Sequence, residues 1–191
     1  MISLRWPMPS EQPDLPQLDM RFNRFDNLPE VGLPEGYQLC TFPERGEDDW
    51  ITALNATGQL GEWNRENART WLEGERRIMQ EGTFFILFED EPAATACTIP
   101  PTSKDRRPEI GWVSVSPGHQ GKRLGYQVTL AGLRFLVQRG YEETFLHTDD
   151  WRLPALKTYL NLGFEPEITH ESHPGRWKIV YETVGITGIQ N

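Results

Sequence analysis

The chain has 191 residues, with 19 Lys+Arg against 28 Asp+Glu for a formal charge of −9, and it is 37% hydrophobic and 25% charged. That length suits one compact domain, the composition excludes a disordered chain, and the acidic balance excludes a general nucleic-acid binder. No apolar run approaches the ~20 residues that span a bilayer, and Met1–Pro7 has no leader pattern, so a cytoplasmic chain with no membrane partner is expected.

The first 35 residues hold six prolines, at 7, 9, 13, 16, 29 and 34. Proline fixes φ and removes a donor, so residues 1–35 read as a proline-rich N-terminal arm and residues 36–191 as the folded domain. Within the arm Leu18, Met20 and Phe22 alternate with polar residues, as in one short edge strand. The arm is left to cover a sheet edge, to join a homodimer interface or to stay disordered.

Tyr37 to Phe42 reads as a strand, and Asp48 to Asn55 as a helix with acids where its dipole favours them. Asn64 suits the N-cap of a second helix with Ala68, Trp71, Leu72, Glu75 and Met79 on its inner stripe, closed by Gly82. Thr83 to Phe88 is an apolar strand, Glu89-Asp90-Glu91-Pro92 a turn, and Ala93 to Ile99 the returning strand of a hairpin. A third central strand runs from Pro108 to Val115, a loop follows, and Leu124, Val128, Ala131 and Phe135 then mark one helical face. Thr144 to Thr148 is a strand. Pro154 opens a last helix that Gly163 closes, and Phe164 to Ile168 with Trp177 to Val184 reads as a closing hairpin. These elements make an α+β fold with one mixed, mostly antiparallel central sheet flanked by helices.

Charge is uneven along the chain. Residues 104–139 hold seven basic side chains and two acids, a balance of +5, and the rest carries −14. An acidic chain with one basic island invites an anion to that island. The segment Gln120-Gly121-Lys122-Arg123-Leu124-Gly125 lies at its centre, between a strand and a helix. Glycine-bearing turns there let backbone N–H groups converge, and the first helical turn adds its own unpaired N–H groups and positive dipole end. The segment is neither a Walker A loop nor a dinucleotide-binding GxGxxG.

This segment resembles the pyrophosphate loop Q/R-x-x-G-x-G/A of the GNAT superfamily of acyl-CoA-dependent N-acetyltransferases. Gln120, Leu124 and Gly125 match, while Arg123 stands at the family's first motif glycine, an exchange the motif accommodates if the backbone there stays helical and the side chain points outward. A second match is A-x-x-x-Y-x-x-x-G-F, present as Ala155 to Phe164 with Tyr159 at the tyrosine; Arg152 stands where the family often has an asparagine. The resemblance spans residues 37–184. It implies acetyl-CoA as co-substrate, bound by Val113, Val115, Gln120, Gly121, Lys122, Arg123, Leu124, Gly125, Tyr126 and Arg152.

An alkylamine is mostly protonated at neutral pH, so acetyl transfer needs a base, and the leaving thiolate needs a proton donor. The resemblance assigns the base to Glu109 and the donor to Tyr159, and the Val115 N–H would polarise the acetyl carbonyl. Strand alternation would place Glu109 on the side of Gly111, Val113 and Val115; the plain alternative is a carboxylate paired with Arg106 or Arg107. The activity implied is acetyl transfer to a primary amine, of a small molecule or a peptide, by direct attack in a ternary complex. A catalytically silent acyl-CoA-binding module is the alternative. No metal is expected: His170 and His173 read as a solvated loop, and Cys40 and Cys97 as small core hydrophobes. Most tryptophans read as core, with Trp63 and Trp177 near the loops that border the acceptor in the family.

Overall fold

A computed structural model describes residues 15–74 and 77–186; Trp6, Glu75 and the prolines at 7, 9 and 13 lie outside the described residues. The strands are β1 (Leu18–Phe22), β2 (Tyr37–Thr41), β3 (Met79–Phe88), β4 (Glu91–Ile99), β5 (Glu109–Val115), β6 (Thr144–Thr148) and β7 (Glu165–Glu167). The helices are α1 (Phe42–Arg45), α2 (Glu47–Asn55), α3 (Arg65–Glu73), α4 (Leu124–Gln138), α5 (Leu153–Leu162) and α6 (His173–Val184). The strands form one mixed sheet in the order β2-β3-β4-β5-β6-β1-β7. Among the described residues the β5–β6 ladder is parallel and the β1–β7, β2–β3, β3–β4 and β4–β5 ladders are antiparallel, so the expected fold class stands.

Phe22–Leu146 forms one compact unit. Side chains alternate across its strands, which places Phe85 and Leu87 in a cluster with Trp50, Leu54, Cys97 and Ile99, beneath α2 and α3. Ile86 faces the other way, with Ala94, Ala96, Leu124 and Val128, beneath α4. The expected α4 face is buried throughout: Leu124, Val128, Ala131 and Phe135 are 1, 0, 4 and 8% exposed. Asn64 caps α3 as expected, its side-chain oxygen accepting from the N–H groups of Glu66 and Asn67 at 2.9 and 3.0 Å. The short helix α1 was not expected. Its cause is local: Glu44 accepts from both the N–H and the hydroxyl of Thr41, and Pro43 sits in the first turn. The β3–β4 turn is carried by Glu89 and Asp90, both at positive φ (50° and 68°), as a two-residue hairpin requires.

Gly82 does not close a helix. The helix ends at Gly74, and Gly82 lies buried inside β3. A Cβ there would stand 2.1 Å from Thr98 Oγ1 and 2.4 Å from Phe135 Cε1, so close packing under α4 is what demands glycine.

The described residues up to Arg21 and those from His147 onward form the second unit. Leu18 and Met20 of β1 are fully buried, and β1 pairs with β7 through Asp19 and Glu167. Thus β1 is an inner strand with β6 and β7 as neighbours, not an edge. Burial raises the Asp19 carboxyl pKa, but hydrogen bonds from His147 and Thr169 outweigh it and hold the group below the usual range. The expected closing hairpin is instead β7 followed by α6. His173, Trp177 and Val180, all buried, are spaced i, i+4, i+7; Pro174 sits in the first turn, and Gly185 ends the helix at φ 68°.

Candidate active site

Strand β5 departs from regular geometry in its middle. Against β4, Thr95 pairs with Ser114 and Cys97 with Gly111, so two steps on one strand face three on the other. The extra residue is a bulge, and Trp112 carries it at φ 53°. For a bulky side chain this left-handed backbone is an outlier that costs roughly 1–2 kcal/mol. Its indole is gripped edge-to-face by Trp63 at 4.7 Å and Trp71 at 4.8 Å. The bulge also reverses the alternation. Gly111 meets Ile99, Trp112 packs into the α2–α3 cluster, and the Ser114 hydroxyl donates to the Ala53 carbonyl of α2 at 2.8 Å. Val113 and Val115 point the other way, into the α4 cluster. Glu109 therefore shares a face with Gly111 but not with Val113 and Val115, because one inserted residue shifts every later side chain to the opposite face.

Glu109 opens β5, half-buried, opposite Ile99 on one side and Phe145 on the other. Its charge reaches the Cys97 thiol. Burial first, and the Glu109 charge second, push that thiol pKa well above its ordinary value, and the thiol donates to the Gly111 carbonyl at 3.3 Å. Cys97 is a neutral core group, as expected. Arg107 donates to Asp105 at 2.8 Å and to Glu143 at 3.3 Å.

After Val115 the chain makes a 3-10 turn at Pro117–His119, anchored where the Ser116 N–H donates to the Ala93 carbonyl at 2.9 Å. The Gln120 side-chain amide donates back to the Val115 carbonyl at 3.4 Å. Gly121 at φ 78° and Arg123 at φ 61° then turn the chain into α4. Arg123 is thus not in right-handed helical backbone. It adopts the left-handed conformation that glycine favours, at a cost a glycine would avoid, and its guanidinium lies 4.6 Å over the Tyr126 ring. The first backbone bond of α4 runs from the Gln127 N–H to the Arg123 carbonyl at 3.1 Å. The amides of Leu124, Gly125 and Tyr126 accordingly point out of the helix start, and no acid occupies that first turn. With Lys122 and Arg123 exposed beside them, these amides suit an anion.

In the second unit, Arg152 sits at the start of α5, paired with Asp149 at 2.9 Å and stacked 4.8 Å from the Trp151 ring. Tyr159 lies with Leu156 on the buried side of α5, 5.8 Å edge-on to Phe164. Burial pushes its phenol up to about 12, against a small opposing effect of the Arg152 charge. Gly163 ends α5 at φ 102°, as its place in the motif implied.

His173 is not part of a solvated loop but fully buried at the start of α6, and His170 bonds Ser172 at 2.9 Å. Among the described residues no three His, Cys, Asp or Glu side chains are placed to hold a metal ion, and no helix is long and apolar enough to cross a membrane. Glu-Ile-Gly-Trp-Val-Ser-Val carries no local signal that distinguishes the bulge at Trp112 from a plain strand.

Residues 47–164 match the Acetyltransferase (GNAT) family. A mycothiol acetyltransferase of Saccharomonospora viridis is 33% identical over 150 residues, which cover 72% of this chain and 48% of that protein. The chain spans about half the length of the curated relatives it matches. Among solved structures, a GCN5-related N-acetyltransferase from Sphaerobacter thermophilus superposes with a TM-score of 0.61 at 21% identity, covering 80% of this chain and 50% of that one. A tandem GNAT protein from the clavulanic acid biosynthesis pathway gives 0.58 at 18% identity, over 81% and 51%. These two show a common fold.

Proposed function

Because the chain belongs to the GNAT acetyltransferase family, we propose that it transfers acetyl from acetyl-CoA to a primary amine by direct attack in a ternary complex. The observation that carries this reading is the turn into α4. There, outward amides of Leu124, Gly125 and Tyr126 meet Lys122, Arg123 and Gln120 at a helix start free of acids, a cradle for a diphosphate. Backbone groups at Val113 and Val115 would follow the acyl arm, the Val115 N–H polarising the acetyl carbonyl. Arg152 would contribute from the start of α5. The names of the curated relatives favour a small-molecule acceptor over a peptide.

The bookkeeping of the reaction is simple. Glu109 takes a proton from the acceptor ammonium, directly or through water, and the freed nitrogen forms a bond to the thioester carbon. The nitrogen sheds its second proton to water, the C–S bond breaks and its electron pair leaves on sulfur, and Glu109 returns its proton to solvent afterwards. Tyr159 would meet that sulfur, but a phenol at about 12 does not readily surrender its proton to a thiolate whose reference pKa is about 8.5. Its contribution is a hydrogen bond that stabilises the developing sulfur charge, the proton arriving from solvent as coenzyme A leaves.

The test is thiol release from acetyl-CoA with a panel of small primary amines. Turnover of at least one amine is expected, and Tyr159→Phe is expected to lower kcat roughly tenfold or more, the loss of one charge-assisted hydrogen bond, with KM nearly unchanged. A chain that binds acetyl-CoA yet releases thiol with no amine overturns the enzymatic reading.

A further inference from the structure

The segment from Leu28 to Tyr37 lies in the same compact unit as α4, and side chains of α4 hold it as a strap. Arg134 donates to the carbonyls of Leu28 and Pro29 at 3.4 and 2.9 Å and pairs with Glu30 at 2.8 Å. Two turns nearer the helix start, Gln127 Oε1 accepts from the Gly32 N–H at 2.9 Å. Leu33 then packs against the cluster that holds Leu124 and Val128. Pro29 and Pro34 fix φ at two points, which leaves the strap few other shapes. At its end Tyr37 opens β2. The Tyr37 hydroxyl shares a hydrogen bond of 2.9 Å with His119 Nδ1, the two rings standing edge-on at 5.7 Å.

These tethers bracket the turn into α4. His119 immediately precedes Gln120, and Gln127 immediately follows Tyr126. Between them Gly121 and Arg123 sit at φ 78° and 61°. A bulky residue in left-handed backbone persists only where its surroundings over-determine the chain. We propose that the strap supplies this constraint: Tyr37, through His119, and Gln127, through its bond to Gly32, are positioning residues that keep the anion-binding turn in shape. The inference rests on the acetyl-CoA reading above and adds to it residues outside the pyrophosphate motif. The amides of Leu124, Gly125 and Tyr126 favour an anion only while they converge, and dipoles already fixed need no rearrangement on binding. With a tether cut, the turn is free to relax toward the backbone that Arg123 prefers, and binding must first reform it. That loss falls equally on the bound ground state and the transition state, so it shows in affinity and not in kcat. The Tyr37 ring lies 4.9 Å from Phe88, a contact that does not involve the hydroxyl, so the tether can be cut without disturbing the packing.

The test is calorimetric titration of the full chain with coenzyme A, beside a melting curve and the steady-state rates of acetyl transfer. Tyr37→Phe and Gln127→Met are each expected to weaken coenzyme A, and to raise KM for acetyl-CoA, by roughly two- to tenfold, the contribution of one hydrogen bond. The thermal midpoint and kcat should stay near the wild-type values. Because the Tyr37 hydroxyl acts through His119, Tyr37→Phe should weaken binding no further in a His119→Leu background. Variants that bind coenzyme A like the wild type overturn the inference, as does a loss of affinity that comes with a lowered midpoint or that persists in full in the His119→Leu background. Each of these outcomes leaves the acetyl-CoA reading intact. A wild type that binds no coenzyme A overturns that reading itself, and this inference with it.

Discussion

Toward α4, strand β5 presents Ile110, Val113 and Val115; toward α2 and α3 it presents Glu109, Gly111, Trp112 and Ser114. The first face is aliphatic and close-packed. Ile110 lies so near α4 that a Cβ at Gly132 would sit 3.0 Å from its Cδ1. The second holds a carboxylate, a hydroxyl bonded to the Ala53 carbonyl, and a tryptophan in strained backbone. Packing explains every choice on the first face and few on the second. Strain and buried polarity persist where surrounding contacts enforce them, which is why they point to function when they gather on one side of one strand. Substitutions on the two faces should therefore fail in different ways.

The largest effect is expected at Glu109. Glu109→Gln keeps the shape and removes the base, so kcat should fall 10²- to 10⁴-fold, about 3–5 kcal/mol of barrier, with little change in the thermal midpoint. Steady-state rates beside a melting curve check this. An unchanged kcat would return Glu109 to a purely structural strand-start carboxylate.

The converse holds beneath α4. Gly82→Ala forces a methyl group to within 2.1 Å of Thr98 Oγ1 and 2.4 Å of Phe135 Cε1. Overpacking of this kind costs roughly 1–3 kcal/mol, and for a domain of this size each kcal/mol lowers the midpoint by about 2–4 °C. The rate per folded molecule should stay at the wild-type value. A variant that melts normally but has lost turnover would erase the distinction between the faces.

Much of this organisation was legible in the sequence, for reasons that can be named. The α4 stripe, the Asn64 cap, the Glu89–Asp90 turn and the Ala155–Phe164 motif each combine a periodicity with a terminator, and such pairs survive tertiary packing. What stayed hidden lacked one of the two. Gly82 is a glycine at the end of a helical pattern, and nothing local separates a cap from a close approach. Ile179 to Val184 is rich in β-branched and aromatic residues, which masked the His173, Trp177, Val180 spacing of a helix. Arg123 and Trp112 occupy left-handed backbone with side chains that do not advertise it. The partnership of Tyr37 with His119, 82 residues apart, is beyond any local pattern.

The smallest effect is the most discriminating, because it isolates backbone from side chain at Trp112. Trp112→Ala and Trp112→Gly remove the same indole contacts with Trp63 and Trp71. They differ in what remains. In an ordinary strand interior glycine is worse than alanine by roughly 0.5–1 kcal/mol, since it gives up more freedom on folding. At φ 53° alanine keeps the left-handed penalty of about 1–2 kcal/mol and glycine does not. The two terms oppose, and the second is larger, so Trp112→Gly should be the more stable variant by up to about 1 kcal/mol in denaturant titration. If Trp112→Ala proves the more stable, β5 relaxes to a regular strand once the indole is gone, and the bulge is a consequence of the tryptophan's packing rather than a fixed feature of the strand that carries Glu109.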